Sequence, residues 1–523
     1  MSEEHEVTKS GGVVAGLTMV SRVFGLIRDS VAAHAFGANW VADSFYLAFV
    51  IPNMLRKLAG EGSLTISFIP VFTEELEKKG RDEAMKLAYS TFWVALISLT
   101  AITVVGMILA SPITRLIAPG FANVPNKLEL ASKMTFEMFP YTIMICMTAL
   151  CMGILNSFKH FAMPAANQIF FNIVSILAIL IINNRYNFWH PGVALVVGVL
   201  VGGVVQFLVQ VPPLLKRGFY FKPYLDWHHP GLKQIGKIMI PSIFGASIYQ
   251  INVVVSAIFV SGFEGGRSWI YYADRIIELP RAIFATAVAT VILPNLSVYS
   301  ARNDKAGFVK LLGFGLKLSA FLIVPSTVGL YFLRVPITSL LFQRGQFTPD
   351  DTLKVAFALL FYTLALWATA GARIMTQSFY AMKDARNPAF YAGVGMIANV
   401  IGCATLTRVP ALGFAGVAVS TSFAAVLNFI CLYVVFERNW GSVDLADIFR
   451  TVLKCLVACA PMAVISIYAS RQDLWLQNGH VIAKILWMSG AIGASMVAYF
   501  GIARLLKMAE LEPLLAILER KIK

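Results

Sequence analysis

The sequence predicts an all-α polytopic membrane protein of about fourteen transmembrane helices, built as two six-helix lobes in parallel pseudo-repeat plus two C-terminal helices. Three observations carry that reading. Of 523 residues, 58% are hydrophobic and only 14% charged, whereas a soluble domain carries roughly a quarter charged residues. Predominantly apolar segments of about 20 residues, the length that crosses the hydrocarbon core, follow one another along the chain. Short features of the first half also recur in the second at a nearly constant offset. No polar stretch is long enough to fold as a separate soluble module.

Taken in order, the N-terminal MSEEHEVTKS is charged and runs into an apolar segment that lacks a small-residue cleavage site and contains two arginines. It therefore reads as a retained first helix and not as a signal peptide. Spans are expected at 12–36, 40–58, 86–112, 132–156, 163–183 and 192–215 in the first half. The second half supplies 236–261, 268–296, 311–333, 353–376, 388–407 and 412–436, and the C-terminal pair is 447–469 and 481–507. The stretch EGSLTISFIPVF (61–72) is apolar but too short to cross alone, so it extends the second helix or forms a bent segment after it. The expected domains are 1–222, 223–440 and 441–523.

Loop charge sets the orientation, since cytoplasmic loops carry the Lys/Arg excess. Arg56, Lys57, Lys78, Lys79, Arg81 and Lys86 follow the second span, and Lys216, Arg217, Lys222, Lys233 and Lys237 follow the sixth. Arg302, Lys305 and Lys310, then Lys383 and Arg386, then Arg438 follow the eighth, tenth and twelfth, and the tail ends with Arg520, Lys521 and Lys523. Both termini are thus expected in the cytoplasm. The net charge of +15 reflects this asymmetry and attraction to anionic headgroups, not nucleic-acid binding.

The repeat rests on five matches. Phe24-Gly25 recurs at Phe244-Gly245, Ile69-Pro70 at Leu293-Pro294, Gly120 of APGF at Gly345 of QRGQF, Ser157-Phe158 at Ser378-Phe379, and Gly192 at Gly416. The offsets are 220, 224, 225, 221 and 224. Six spans per repeat is an even number, so both halves enter from the same side, related by an axis along the membrane normal. In such two-lobe transporters the path runs between the halves.

Charges within the spans mark candidate functional residues, because an ionisable group in a transmembrane helix costs at least about 2.5–3.5 kcal/mol and faces a cavity or a partner. Arg22, Arg28 and Asp29 lie in the first span, Asp43 early in the second, and Arg56, Lys57 and Glu61 at its end. Asp274, Arg275, Glu278 and Arg281 lie in the eighth. Arg22 and Asp29 share a helical face, as do Asp274 and Arg281, while Arg275 is one turn from Glu278. Pro52 and Pro280, with Gly60 and Gly62, are expected to bend the same helices. Two readings stand together: internal ion pairs, Arg22–Asp29 and Arg275–Glu278, that fix helix packing, or a cavity lined by arginine. Arginine is always charged and suits bidentate contact with phosphate or carboxylate, so such a cavity favours an anion.

The stretches SRVFGLIRD, FGANWVADSFYLAFVIPNMLRKLAGEG, APGF, YYADRIIELP and LFQRGQFT closely resemble those of the MurJ (MviN) family of bacterial lipid II flippases, in the MOP superfamily that also contains MATE-like transporters. The resemblance runs from about residue 12 to the twelfth span and thins in the last two helices. It implies that Arg22, Arg28 and Arg275 match the family's essential cavity arginines and that Arg56 matches the basic residue ending the second helix. It also places Ser21, Asp43, Glu61 and Ser63 on positions linked to function. Lys57 stands where some relatives have arginine.

The implied substrate is lipid II, an undecaprenyl pyrophosphate bearing the peptidoglycan disaccharide-pentapeptide, moved from the cytoplasmic to the outer leaflet of the inner membrane by alternating access. The last two helices are implied to form a groove for its tail; 490–503 suits that or ordinary packing. Membrane lipids and the cell-wall synthesis machinery are the further partners expected.

No nucleophile–base arrangement, P-loop or metal motif is present, so the chain is expected to be a transporter without cofactor, drawing on membrane potential or a Na+ or H+ gradient. Gln250, Asn252, Asn399 and Asn428 suit interhelical hydrogen bonds better than a sodium site, and His160 reads as a surface residue. The six cysteines read as small buried residues. Two other classes remain at this stage: another MOP exporter, of drugs or a polyprenyl-linked oligosaccharide, and a non-transport membrane scaffold.

Overall fold

A computed structural model describes residues 3–183 and 189–512; Arg520, Lys521 and Lys523 of the basic tail lie outside the described residues. The chain divides into two compact units, Met1–Ser268 and Trp269–Lys523, and helix is the only regular structure among the described residues.

In the first unit α1 (Glu3–Phe36) is followed by α2 (Trp40–Ala48), α3 (Val50–Leu55), a π-helical segment (Arg56–Leu64) and α4 (Thr65–Lys79). Asn39 starts α2 by accepting from the Val41 and Ala42 backbone N–H groups at 2.9 and 3.2 Å, a short polar side chain filling the helix's first open donors. The stretch 61–72 thus belongs to one helical run that continues the second span. Next come α5 (Arg81–Ile108), α6 (Ala110–Ile117), α7 (Lys127–Met138), α8 (Tyr141–Ser157), α9 (Ala162–Ile182), α10 (Val193–Leu208), α11 (Val211–Lys216) and α12 (Pro230–Val260).

Two glycines explain how these helices meet. A Cβ on Gly202 of α10 would lie 2.8 Å from the Phe171 ring, so only glycine lets α10 close on α9 there. The APGF glycine, Gly120, has backbone within 2.5 Å of where its Cβ would be, at Gly262, and its N–H donates to Ser261 Oγ at 3.1 Å.

α13 (Gly266–Pro280), whose first three residues end the first unit, carries the chain into the second, followed by a π-helical segment (Arg281–Ala285) and α14 (Thr286–Ala301). It continues through α15 (Lys305–Phe342), α16 (Pro349–Leu364), α17 (Leu366–Ala381), α18 (Arg386–Leu406), α19 (Gly416–Trp440), α20 (Leu445–Ser470) and α21 (Val481–Leu505). Thr348 and Asp351 form a reciprocal capping box before α16, with Pro349 at its first position. The C-terminal pair packs on α15: Tyr499 Oη donates to the Phe321 carbonyl at 2.7 Å, within a cluster that includes Cys455, Cys459 and Met462.

Helical structure lies over each of the fourteen expected segments. Among the described residues nine helices are long and apolar enough to span a membrane, and α16 with α17, bent by 45°, makes ten. α1, α2 and α13, which carry Arg22, Arg28, Asp29, Asp43 and Arg275, are not among them. The protein is an integral, multi-pass membrane protein with an all-α fold.

Candidate functional site

The first helix is held where it is by one asparagine of α9. Asn172 is buried; its Nδ2 donates to the Ser21 carbonyl at 3.1 Å and its Oδ1 accepts from Arg28 Nη1 at 3.2 Å. Gly25 faces this amide, and a Cβ there would meet Asn172 Nδ2 at 3.6 Å, an ordinary contact. Arg28 turns its Nε and Nη2 to Asp29 Oδ1, at 3.1 and 2.7 Å, and lies 5.6 Å from the centroid of the Phe171 ring. The Arg22–Asp29 pair expected from spacing is therefore not made. Adjacent Arg28 reaches the carboxylate instead, because Asn172 and Phe171 fix its guanidinium from a neighbouring helix. Arg22 is half-buried and makes no hydrogen bond or ion pair among the described residues.

Asp43 is in a different place. Its carboxylate is fully buried and takes Lys127 Nζ at 2.7 Å, the Gly265 N–H at 2.8 Å, and the Ser268 N–H and Oγ at 2.8 and 2.7 Å. Lys127 is equally buried, its ammonium 4.2 Å from the Phe121 ring centroid. The carboxylate thus ties the starts of α2, α7 and α13 together and serves as the anion at the positive N-terminal end of α13. With four donors on it, Asp43 acts here as a latch between helix ends.

At the other end of this helical run Arg56 donates through Nε and Nη2 to Asn53 Oδ1 at 3.1 and 2.8 Å. Ser63 is buried near the end of the π segment, and its hydroxyl has no hydrogen-bond partner among the described residues. The side chain of Glu61 lies outside the described residues.

In the second unit Arg275 Nη1 donates to Glu278 Oε2 at 3.0 Å, with its guanidinium 5.8 Å from the Tyr271 ring centroid. Arg281 Nη2 lies 3.5 Å from Asp274 Oδ1. Both pairs are those expected from helical spacing. Arg275 belongs to the second unit and Arg22, Arg28, Asp43 and Arg56 to the first. Arg281 opens one π segment as Arg56 opens the other, 225 positions apart, inside the offset range of the sequence repeat.

Lys127 and Asn172 escape the sequence reading: Lys127 sits in NKLELASK, which looks like a charged loop, and Asn172 is one amide in an apolar run. Asn399 makes interhelical contacts, its Oδ1 accepting from Thr421 Oγ1 at 3.4 Å and its carbonyl from Ser420. His160 is less exposed than expected; burial, then the charge of Arg217, holds its pKa below the ordinary value, so it stays neutral. No group of metal-ligating side chains occurs among the described residues.

Comparison with known proteins places this geometry. A profile described as "Lipid II flippase MurJ" matches residues 32–486. The probable lipid II flippase MurJ of Vibrio cholerae is 33% identical over 515 residues, covering 95% of this chain and 96% of that protein. The lipid II flippase MurJ of Burkholderia cenocepacia is 35% identical over 431 residues, covering 82% of this chain and 83% of that protein. Among solved structures, a lipid II flippase MurJ in an inward closed conformation superposes with a TM-score of 0.77 at 26% identity, covering 94% of this chain and 99% of that one. An inward-facing multidrug-resistance MATE transporter of the MOP superfamily shares the fold, with a TM-score of 0.68 at 14% identity over 84% of this chain and 99% of that one.

Proposed function

The chain belongs to the lipid II flippase MurJ family, and we infer that it carries lipid II across the membrane as a transporter with no covalent step of its own. Arg22 is the observation that carries the site reading. A guanidinium half-buried in the first helix, with no hydrogen bond or ion pair among the described residues, needs an anion or a water-filled cavity beside it, and the pyrophosphate of lipid II is such an anion. Arg28 is pre-oriented by Asn172 and Asp29, so little rotamer freedom is lost when it contacts substrate. In our reading Ser21, Arg22, Arg28 and Arg56 of the first unit hold the pyrophosphate and nearby headgroup, with Glu61 and Ser63 on the same path, and Arg275 is the anion-holding arginine of the second unit. Ser63 offers an unused buried hydroxyl to it.

Asp43 works differently. Its latch must open when the headgroup leaves on the far side, so alternating access is coupled to breaking the Lys127 pair and uncapping α13. The prenyl tail stays in lipid; a cavity of about 400 Å³ between α20 and α21, lined by Tyr468, Ala469, Leu486, Trp487, Gly490 and Ala491, supports a tail groove.

Loop charge supports an inner-membrane orientation with both termini cytoplasmic, delivering substrate to the cell-wall enzymes outside. One charge moved through 100 mV is worth about 2.3 kcal/mol, so membrane potential or a Na+ or H+ gradient drives the cycle without a bound cofactor. The test is complementation of a strain depleted of its own lipid II flippase, with Arg28→Ala and Arg275→Ala compared at equal membrane expression. Growth with the parent and lysis with both variants is the expected result. Equal rescue by all three overturns the arginine site, and failure of a well-expressed parent overturns the substrate.

A further inference from the structure

The second unit contains a cavity of about 580 Å³ that shares no residue with the proposed transport site. It lies where the first turns of α15 pass the chain joining α19 to α20, and Lys305, Lys310, Phe314, Lys317, Trp440 and Asp447 are among its lining residues. In its lining, a Cβ on Gly313 would come within 2.9 Å of Val443 Cγ1.

The charge of this cavity is unevenly used. Lys317 Nζ is paired with Asp447 Oδ2 at 2.6 Å, and the Asp444 carboxylate is taken up in capping α20, accepting from the Asp447 N–H at 3.0 Å. Lys305 Nζ donates to the Asn439 carbonyl at 3.3 Å and lies 5.5 Å from the Trp440 ring centroid. Lys310, between them along α15, is exposed and has no partner among the described residues. Arg450 and Lys454 add positive charge farther along α20. Both acids are occupied, then, while Lys305 and Lys310 keep donors free. Phe314, in the lining, is exposed at 37%, and Leu445 and Phe449 of α20, each next in sequence to a lining residue, are exposed at 52% and 67%.

Lysines with free donors, an aromatic ring and a bare apolar strip meet here at the beginning of two spanning helices, the level where headgroups lie. We propose that this cavity binds an anionic phospholipid, with its phosphodiester between Lys305 and Lys310 and its acyl chains along Phe314, Leu445 and Phe449. The apolar strip distinguishes this ligand from a free phosphate ion, and the basic lining distinguishes it from a zwitterionic lipid.

Native mass spectrometry of the full chain, released from nanodiscs of phosphatidylcholine with graded phosphatidylglycerol, tests the site. Each lysine near an anionic surface contributes about fivefold in binding, so Lys305→Gln with Lys310→Gln raises the phosphatidylglycerol needed for one retained lipid roughly 30-fold. Lys383→Gln with Arg386→Gln, in another basic loop, behaves like the parent. Lys310→Glu, at an exposed side chain with no hydrogen bond or ion pair among the described residues, abolishes retention while leaving melting in pure phosphatidylcholine unchanged, which keeps the test independent of folding. Equal retention by the parent and Lys310→Glu overturns the proposal. So does equal retention of phosphatidylcholine, or full displacement of the lipid by inorganic phosphate, which would make the site one for a soluble anion.

Discussion

Replacing Asp43 by asparagine is the most informative single change in this molecule. The carboxylate and Lys127 Nζ are both fully buried and 2.7 Å apart. Removing one member of such a pair leaves the other charged without a counter-ion and costs about 3–5 kcal/mol. The Gly265 and Ser268 N–H groups keep only a neutral acceptor, so the loss is concentrated at the start of α13. At about 1.4 kcal/mol per factor of ten, amide exchange over 262–270 should speed up by roughly 10²- to 4 × 10³-fold. Lys127→Met should do less, because Asp43 retains the three donors from Gly265 and Ser268. Asp43→Asn combined with Lys127→Met should recover part of the loss, since the orphaned ammonium is then absent. Hydrogen-exchange mass spectrometry of the parent and the three variants in one detergent reads all four values. Unchanged protection of 262–270 in a folded Asp43→Asn variant refutes the latch, as does a larger effect from Lys127→Met.

Asn172→Leu removes two hydrogen bonds that place α1 and leaves Arg28 Nη1 without its acceptor, a loss of about 1–3 kcal/mol; a lower melting point and lost complementation are expected. Gly25→Ala should melt no lower than the parent, since the added Cβ makes an ordinary 3.6 Å contact and alanine favours helix by about 0.5–1 kcal/mol. Lys484→Met should lower the melting point, because it strips a buried ammonium from Ser339 Oγ and from the Trp475 and Gln477 carbonyls, at 2.9, 3.2 and 2.7 Å. His190, in the loop before α10, is subject to burial, which disfavours its charged form, but the Glu137 carboxylate and Pro191 carbonyl outweigh this and raise its pKa above the ordinary 6.5. The stability it contributes is therefore complete below pH 6.5 and is lost as pH rises through the raised value. The melting difference between the parent and Glu137→Gln should shrink along the same pH range; a constant difference would refute the pairing.

The fold was legible because membrane spans obey a length rule and the chain repeats itself. The site was legible only where it is local. Arg275–Glu278 and Asp274–Arg281 lie on one helix, so spacing alone predicts them. Arg22 and Asp29 have the same seven-residue spacing as Asp274 and Arg281, yet do not pair. Asn172, from 143 positions beyond Asp29 in the chain, holds Arg28 against Asp29 first. Asp43 was recognisable as a costly charge, but its partner Lys127 is 84 residues away and its helix-end donors more than 220 away. No periodicity connects such positions. A buried ion pair between distant segments is a tertiary fact, visible only after the helices have been placed.

The bends show a middle case. Proline and glycine in the second and eighth spans foretell a break, and the structure makes it as a π turn beginning at Arg56 in one unit and Arg281 in the other. A π turn accommodates an extra residue while keeping most backbone groups bonded, which matters in lipid, where an unbonded N–H or C=O costs several kcal/mol. It also has a mechanical consequence. Shifting one residue through such a turn rotates the helix beyond it by about 100° with little net loss of hydrogen bonds. Beyond the first turn lie Ser67, Phe68 and Phe72, all packed inward; beyond the second lie Val288, Ile292 and Leu296, also packed inward. Each turn therefore begins at an arginine and leads into a helix whose packing it can redirect. Both units make the bend 225 positions apart although RKLAGEGSL and RAIFA share only the opening arginine, so the break is kept where the sequence that makes it is not.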